Sequence, residues 1–335
     1  MRVLIANKFE PSGIEGLRAL GGDITYDPDA GDRLASMMTE LAPDVLIVRA
    51  TKVTADALVP SLKLIVRAGA GVNTIDVASA LARGIIVTNC PGINAIAVAE
   101  LAFGLMLAVD RRIPDNVSDL RAGVWNKKEY SRARGLFGRT LGLLGAGAIG
   151  REMIRRAAGF GMPVVLWSRR FNGRDGALSA VEGRELGVEA ARSQIPVTLA
   201  PTPRAAAERS DVLSVHVALT PETKHLVNAD VLAGLRSGGI LINTARGDLV
   251  DAQALAAAVK DRGIRAGLDV FAAEPPASAG PFVDPIVQMP GVYGTHHIGA
   301  STDQAQEAIA AETVQIVKSF METGRVPAAN AVSEP

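Results

Sequence analysis

The stretch that most constrains this chain is Arg139-Thr140-Leu141-Gly142-Leu143-Leu144-Gly145-Ala146-Gly147-Ala148-Ile149-Gly150. Residues 140–144 form a short apolar run, which reads as a buried strand. Gly145, Gly147 and Gly150 follow at G-x-G-x-x-G spacing, and an amphipathic helix pattern begins at once. Ile149, Met153, Ile154, Ala157, Ala158 and Phe160 share one side of that helix; Arg151, Glu152, Arg155 and Arg156 take the other. Strand, glycine turn and helix in this order are the context that a dinucleotide site requires. Gly145 permits the tight turn, Gly147 lets the backbone approach a pyrophosphate, and Gly150 lets the helix sit close to the strand. The free N–H groups at the helix start then face the phosphates. The alternative is a glycine-rich turn that binds nothing.

A length of 335 residues suggests about two domains, and 48% hydrophobic residues suffice for a core in each. Lys+Arg and Asp+Glu are equal at 35 each, so no bulk charge draws the chain to nucleic acid or an anionic membrane. The single cysteine, Cys90, excludes an internal disulfide framework and fits a reducing compartment. It has no metal-ligand neighbour in sequence, so it reads as packing, and no metal site is expected. The N-terminus runs straight into a strand pattern without a signal-peptide signature. The longest apolar stretch, residues 97–109, contains Glu100 and is too short to span a bilayer. These features predict a cytoplasmic α/β protein.

Strand patterns fall at residues 3–6, 24–26, 45–48, 64–66 and 85–88, with helical patterns at 13–20, 33–41, 55–60 and 75–82. Such alternation predicts a parallel sheet wrapped by helices. Two of these strands end in basic loops, Arg49-Ala50-Thr51-Lys52 and Arg67-Ala68-Gly69-Ala70-Gly71. Ligands of open α/β sheets bind at the carboxyl ends of strands. Gly69 and Gly71 would let backbone N–H groups approach a small anion there, with Arg49, Lys52 and Arg67 adding charge; solvated loops are the plainer reading. Residues 94–109 read as one long apolar helix, followed by a basic, aromatic-dotted stretch at 125–134. After residue 140, strands are predicted at 140–144, 163–167, 212–217, 240–243, 267–270 and 292–293. Helices are predicted at 178–187, 229–235, 252–260 and 304–323.

Three strands of this second half each deliver an ionisable residue just beyond their carboxyl ends: Arg246, Glu274, and the pair His296 and His297. Hydride transfer on a 2-hydroxy acid needs this set. The arginine pairs with a carboxylate and polarises the carbonyl oxygen. A histidine takes the hydroxyl proton as hydride leaves and returns it in reduction. Glu274 beside that imidazole would hold its tautomer and favour its protonated form. Taken singly, each has an ordinary structural reading; at corresponding strand ends beside a nucleotide turn they read as catalytic.

The chain resembles the D-isomer-specific 2-hydroxyacid dehydrogenases from about Val45 to Thr323, and among them it is most similar to the members that oxidise D-3-phosphoglycerate. The resemblance rests on residues 66–73, Ala97-Val98-Ala99-Glu100-Leu101, Asn243-Thr244-Ala245-Arg246-Gly247, Leu268-Asp269-Val270-Phe271 with Glu274-Pro275-Pro276, and His297-Ile298-Gly299-Ala300-Ser301-Thr302. It implies catalytic roles for Arg246, Glu274 and His297, with His296 where the family more often has proline. It implies cofactor contacts at Ala70, Ala148, Ile149, Ser168, Val217, Thr244, Asp269, Gly299 and Ala300. Gly145, Gly147, Gly150, Arg169 and Ala245 complete the expected cofactor set. Substrate contacts are expected at Arg49, Lys52, Gly69, Gly71, Asn94 and Arg246.

The resemblance further implies two doubly wound parallel-sheet domains with the active-site cleft between them. A flavodoxin-like, discontinuous substrate domain would comprise residues 1–96 and 297–335. A Rossmann cofactor domain would comprise 97–296 and build a homodimer. The substrate is then a small 2-hydroxy or 2-keto acid, with oxidation of D-3-phosphoglycerate, in serine biosynthesis, expected first. A glyoxylate/hydroxypyruvate reductase is the enzyme alternative, and a dinucleotide-sensing corepressor-like protein the non-enzyme one. The phosphoglycerate-type loop, residues 48–54, is one residue shorter than the pattern, and segment 172–203 is longer. With the sequence ending near Pro335, the C-terminal regulatory domains that some members carry are not expected. An NAD-type site carries an acid about 20 residues past the glycine turn. Here the second strand ends in Ser168-Arg169-Arg170, which tilts the expectation toward acceptance of NADP(H) at least as well as NAD(H).

Overall fold

The computed structural model describes residues 1–275 and 280–332. Pro276 of the expected Glu274-Pro275-Pro276 motif and residues 333–335 of the expected C-terminal return lie outside the described residues. The chain opens with β1 (Arg2–Ile5), α1 (Pro11–Ala19), β2 (Asp23–Tyr26), α2 (Leu34–Leu41), β3 (Val45–Val48), β4 (Leu64–Arg67), α3 (Val77–Ala82) and β5 (Ile86–Asn89). Next come α4 (Ala95–Arg111), α5 (Ile113–Arg121), β6 (Leu141–Leu144), α6 (Ala148–Gly159), β7 (Val164–Trp167), β8 (Gly176–Ala177), α7 (Ala180–Leu186), α8 (Glu189–Arg192) and β9 (Val197–Leu199). The remainder is α9 (Pro203–Glu208), β10 (Val212–Val215), α10 (Ala229–Gly234), β11 (Ile240–Asn243), α11 (Ala252–Arg262), β12 (Arg265–Leu268), β13 (Val292–Gly294) and α12 (Asp303–Thr323). Among the described residues, no helix is long and apolar enough to cross a membrane.

Two units result, Met1–Asn94 with Ala300–Pro335, and Ala95–Gly299. The first is a five-stranded parallel sheet in the order β2-β1-β3-β4-β5, the flavodoxin-like order. Successive strand side chains point to opposite faces. Val3, Ile5, Val45, Ile47, Leu64 and Val66 therefore meet Ile14 and Leu17 of α1 and Ile309, Ile316 and Val317 of α12. Leu4, Leu46, Val48, Ile65 and Val87 meet Leu34, Met38, Leu58 and Ala80 on the other face. Thr302 caps α12 by accepting from Ala305 N, and Gly324 ends it in the left-handed region at φ 69°. Cys90 is buried in this core, 3.8 Å from Thr313 Oγ1.

The second unit is an eight-stranded sheet in the order β13-β12-β11-β10-β6-β7-β9-β8. The β9-β7-β6-β10-β11-β12 portion has the Rossmann order, which reverses direction between β6 and β10. Leu141, Leu143, Leu166, Val212 and Ile242 pack under Phe103 and Met106 of α4 and Met153 and Ile154 of α6. Leu144, Val165, Leu213, Val215 and Leu241 pack against Val231 and Leu232 of α10 and Leu255 and Val259 of α11.

Several expectations need correction. Residues 55–60 form only a 3-10 turn at Ala55–Ala57; the run before Pro60 is too short to nucleate an α-helix. Segment 172–203 carries β9, which pairs with β7, and the two-residue β8, which is antiparallel and makes this sheet mixed at one edge. The reading of the sequence has no element for 113–121, where α5 forms. β12 spans Arg265–Leu268 rather than 267–270, so Asp269 lies beyond the strand.

Candidate active site

The glycine turn joins β6 to α6 where the strand order reverses. Gly145 has φ 122°, and a Cβ there would lie 2.3 Å from the carbonyl oxygen of His216. A Cβ on Gly150 would lie 2.2 Å from the oxygen of Gly145, so strand and helix meet at van der Waals distance only with glycine. At Gly147 a Cβ would meet nothing within 4 Å; this residue is the N-cap of α6 and offers no side chain to the first-turn N–H groups of Ala148, Ile149 and Gly150. The first N–H groups of a helix lack intrahelical partners, and an anion at this end would satisfy them. Ser168, just past β7, has a buried hydroxyl with no hydrogen-bond partner among the described residues, and so does Thr244, just past β11. Buried hydroxyls are seldom left unpaired, so both fit hydrogen bonding to a bound group. Arg170 is occupied: it pairs with Glu185 and lies 5.1 Å over the Phe171 ring. Arg169 is exposed and Val217 is partly buried.

β11, β12 and β13 are parallel neighbours, so the residues that follow them emerge on one edge. Asn243 at the end of β11 shapes its turn, accepting from Ala245 N at 3.0 Å and donating to Arg246 O at 2.8 Å. A Cβ on Gly247 would lie 2.1 Å from the Phe271 carbonyl carbon, which fixes the close approach of the Arg246 and Phe271 loops. Glu274 accepts from Phe271 N through Oε1 at 2.8 Å and contacts His297 Nδ1 through Oε2 at 2.7 Å. Burial pushes the Glu274 carboxyl up, but the bonds from His297 and Phe271 and the nearby Arg246 outweigh it and hold the group below its usual value. The carboxylate thus accepts from Nδ1–H, which leaves Nε2 as the free nitrogen. Burial lowers the Arg246 guanidinium from its usual value, opposed by the Glu274 charge.

His297 sits at φ 52°, in the left-handed region that few non-glycine residues adopt. Asp269 holds it there. Its carboxylate is fully buried and accepts from Thr295 Oγ1 at 2.6 Å, Ile298 N at 2.8 Å and Gly299 N at 2.8 Å, while its carbonyl accepts from His297 N at 2.8 Å. Asp269, expected as a cofactor contact, here braces the histidine loop. His296 is exposed and is outside these contacts. The second unit therefore brings together Arg246, Glu274 and His297.

The other expected residues belong to the first unit: Arg49, Lys52, Gly69, Ala70, Gly71, Asn94 and Ala300. Arg49 donates to Ser301 Oγ at 3.4 Å and makes no ion pair among the described residues. Burial lowers it from its usual value, opposed by Glu10. Gly69 has φ 146°, and a Cβ there would overlap the Arg67 guanidinium. Asn89 Nδ2 donates to Ala70 O. Residues to which the sequence reading gives no role are Asn7, which bonds the Arg49 loop, and the bracing groups Asn243 and Thr295. Only Asn243 carries a local signal, an Asx turn at a strand end.

Residues 103–299 match the family described as D-isomer specific 2-hydroxyacid dehydrogenase, NAD binding domain. The chain is 39% identical to D-3-phosphoglycerate dehydrogenase of Methanocaldococcus jannaschii over 282 residues, covering 83% of this chain and 50% of that protein. It thus spans about half the length of that relative. It is 39% identical to hydroxypyruvate reductase of Thermotoga maritima over 306 residues, 90% of this chain and 91% of that one. Among solved structures, the NADPH-dependent glyoxylate/hydroxypyruvate reductase of Sinorhizobium meliloti, in complex with NADP and malonate, superposes with a TM-score of 0.79 at 30% identity, covering 99% of this chain and 96% of that one. The chain belongs to the D-isomer-specific 2-hydroxyacid dehydrogenases.

Proposed function

We propose that the protein is an NAD(P)-dependent dehydrogenase of D-2-hydroxy acids that oxidises D-3-phosphoglycerate to 3-phosphohydroxypyruvate. The observation that carries this reading is the Glu274–His297 pair, 2.7 Å apart, with Arg246 on the neighbouring strand end of the sheet that holds the glycine turn. A nicotinamide dinucleotide on the turn supplies the hydride acceptor. Arg246 pairs with the substrate carboxylate and polarises the C2 oxygen. As hydride leaves C2, His297 Nε2 takes the hydroxyl proton; in reduction it returns that proton. Glu274 fixes the tautomer and balances the imidazolium charge.

Arg49 and Lys52 read the substrate phosphate, and Gly69, Gly71 and Asn94 contact the rest of the acid. An arginine without an acidic partner on a strand-end loop suits an anion, and the Methanocaldococcus relative bears the matching name. The second reading, reduction of glyoxylate or hydroxypyruvate, is favoured by the names of the Thermotoga and Sinorhizobium proteins. Catalytic efficiencies for 3-phosphoglycerate, D-glycerate, hydroxypyruvate and glyoxylate decide between them. A strong preference for 3-phosphoglycerate is expected; equal or better use of the unphosphorylated acids supports the reductase.

NADP(H) is accepted at least as well as NAD(H), because Ser168 has an unpartnered hydroxyl and Arg169 follows it in place of an acid. Ser168→Asp with Arg169→Ala should swing the cofactor ratio toward NAD; a wild type already strict for NAD, with little change in the double variant, contradicts this. The second unit pairs with a second copy through the exposed apolar side chains Leu120, Trp125 and Phe137. Light scattering should report a dimer that Trp125→Arg with Phe137→Arg dissociates; a wild-type monomer ends that assignment.

A further inference from the structure

β3 lies beside β1, and both strands run in the same direction. Past their carboxyl ends the chain diverges, into Ala6-Asn7 from β1 and Arg49-Ala50-Thr51-Lys52 from β3. Asn7 Oδ1 accepts from Arg49 N at 2.7 Å, Ala50 N at 3.1 Å and Thr51 N at 3.2 Å. Thr51 Oγ1 closes the arrangement by donating to Ala6 O at 3.1 Å. Three donors converge on one atom, which identifies that atom as the amide oxygen rather than the nitrogen. Successive N–H groups in such a turn form a concavity that binds anions. Here an uncharged oxygen of the protein fills it.

We infer that Asn7 is a positioning residue for the substrate loop: its side-chain oxygen gathers three successive N–H groups, and its neutrality leaves the charges of Arg49 and Lys52 for a bound anion. The inference rests on the proposed reading of these two cations as the phosphate contacts. A loop of four residues leaving a strand without internal hydrogen bonds has no structure of its own. Fixing its backbone fixes where the two long side chains start, so less order remains to be imposed when the anion arrives. An aspartate at this position would accept the same three bonds more strongly. It would also place a negative charge beside Arg49, competing with the substrate. An apolar side chain of similar size would leave the three N–H groups without their acceptor.

Asn7→Asp and Asn7→Leu separate the two parts of the role. In hydrogen exchange of the full-length protein, Asn7→Leu should speed exchange of the Arg49, Ala50 and Thr51 amides about tenfold or more, with the interior of β1 and β3 unchanged; Asn7→Asp should keep them slow. Wild-type exchange in Asn7→Leu overturns the clamp. In steady-state assays Asn7→Asp should raise the KM for 3-phosphoglycerate roughly tenfold, with a smaller rise for D-glycerate and a kcat within about twofold of wild type. An unchanged KM overturns the role of neutrality. Asn7→Asp keeps the acceptor and so keeps the fold, which leaves this arm readable even if Asn7→Leu does not fold. If Arg49→Ala changes the KM of no tested acid, the phosphate reading fails while the exchange result still decides the clamp.

Discussion

The carboxyl edge of the second unit's sheet and that of the first unit's sheet use ionisable residues in opposite ways. At the ends of β12 and β13 the groups have protein partners: His297 with Glu274, Glu274 with Phe271 N, and the histidine loop with Asp269. At the end of β3 the backbone is held by Asn7, while the guanidinium of Arg49 has, among the described residues, a single long contact to a hydroxyl. Partnered groups are oriented and tuned, as proton transfer demands. Unpartnered cations hold unspent charge, as recognition of an anion demands. The difference suits the proposed division of labour: proton transfer, with Arg246 on the carboxylate, at one edge and phosphate reading at the other.

The strongest way to break that division is His297→Gln. Positioned acid–base catalysis contributes about 10²–10⁴-fold, so kcat should fall by that order while the dissociation constant of the cofactor, measured by fluorescence titration, holds. Glu274→Gln removes a charge-assisted bond of roughly 1.5–3 kcal/mol. A fall in kcat/KM of about 10–100-fold is expected, and no loss would mean that the pair is ornamental. His216, whose carbonyl lies against Gly145 of the glycine turn, gives a stability test. Burial pushes the His216 imidazole down to about 3, with Ser214 Oγ 2.8 Å from Nε2. An unfolded histidine titrates near 6.5, so between that pH and about 3 the unfolded chain binds a proton that the folded chain refuses. Stability therefore falls as the pH drops through this window, by roughly 2–3 kcal/mol at a pH of about 4.5. His216→Gln should lose less stability to urea between neutral and acid pH than wild type; equal losses would show that His216 takes up its proton in the fold. The smallest effect belongs to His296→Gln, expected within about twofold of wild type.

The strands and the glycine turn were legible because their signals are local. Val45 to Val48 is apolar without a break, and Gly145, Gly147 and Gly150 sit at fixed offsets beside an amphipathic helix. β9 was not, since three residues are too few to show a period. His297 and His296 are neighbours of the same type, and what separates them is tertiary: the φ of 52° and the contact with a residue 23 positions away. Asn7 was silent for the same reason, since its partners begin 42 residues along the chain. Strand ends announce which residue types meet at an edge; which of them become partnered depends on loops that carry no period.

The most direct test of the division of labour is one set of assays: kcat and KM of wild type, His297→Gln and Arg49→Ala, each with 3-phosphoglycerate and with D-glycerate. His297→Gln should lower kcat on both substrates alike. Arg49→Ala should leave kcat nearly intact and raise the KM for 3-phosphoglycerate about tenfold or more, since a charge-assisted phosphate contact is worth roughly 1.5–3 kcal/mol, with D-glycerate almost unaffected. If Arg49→Ala instead depresses kcat on both acids, or both variants change the same constant, the two edges do not divide the work.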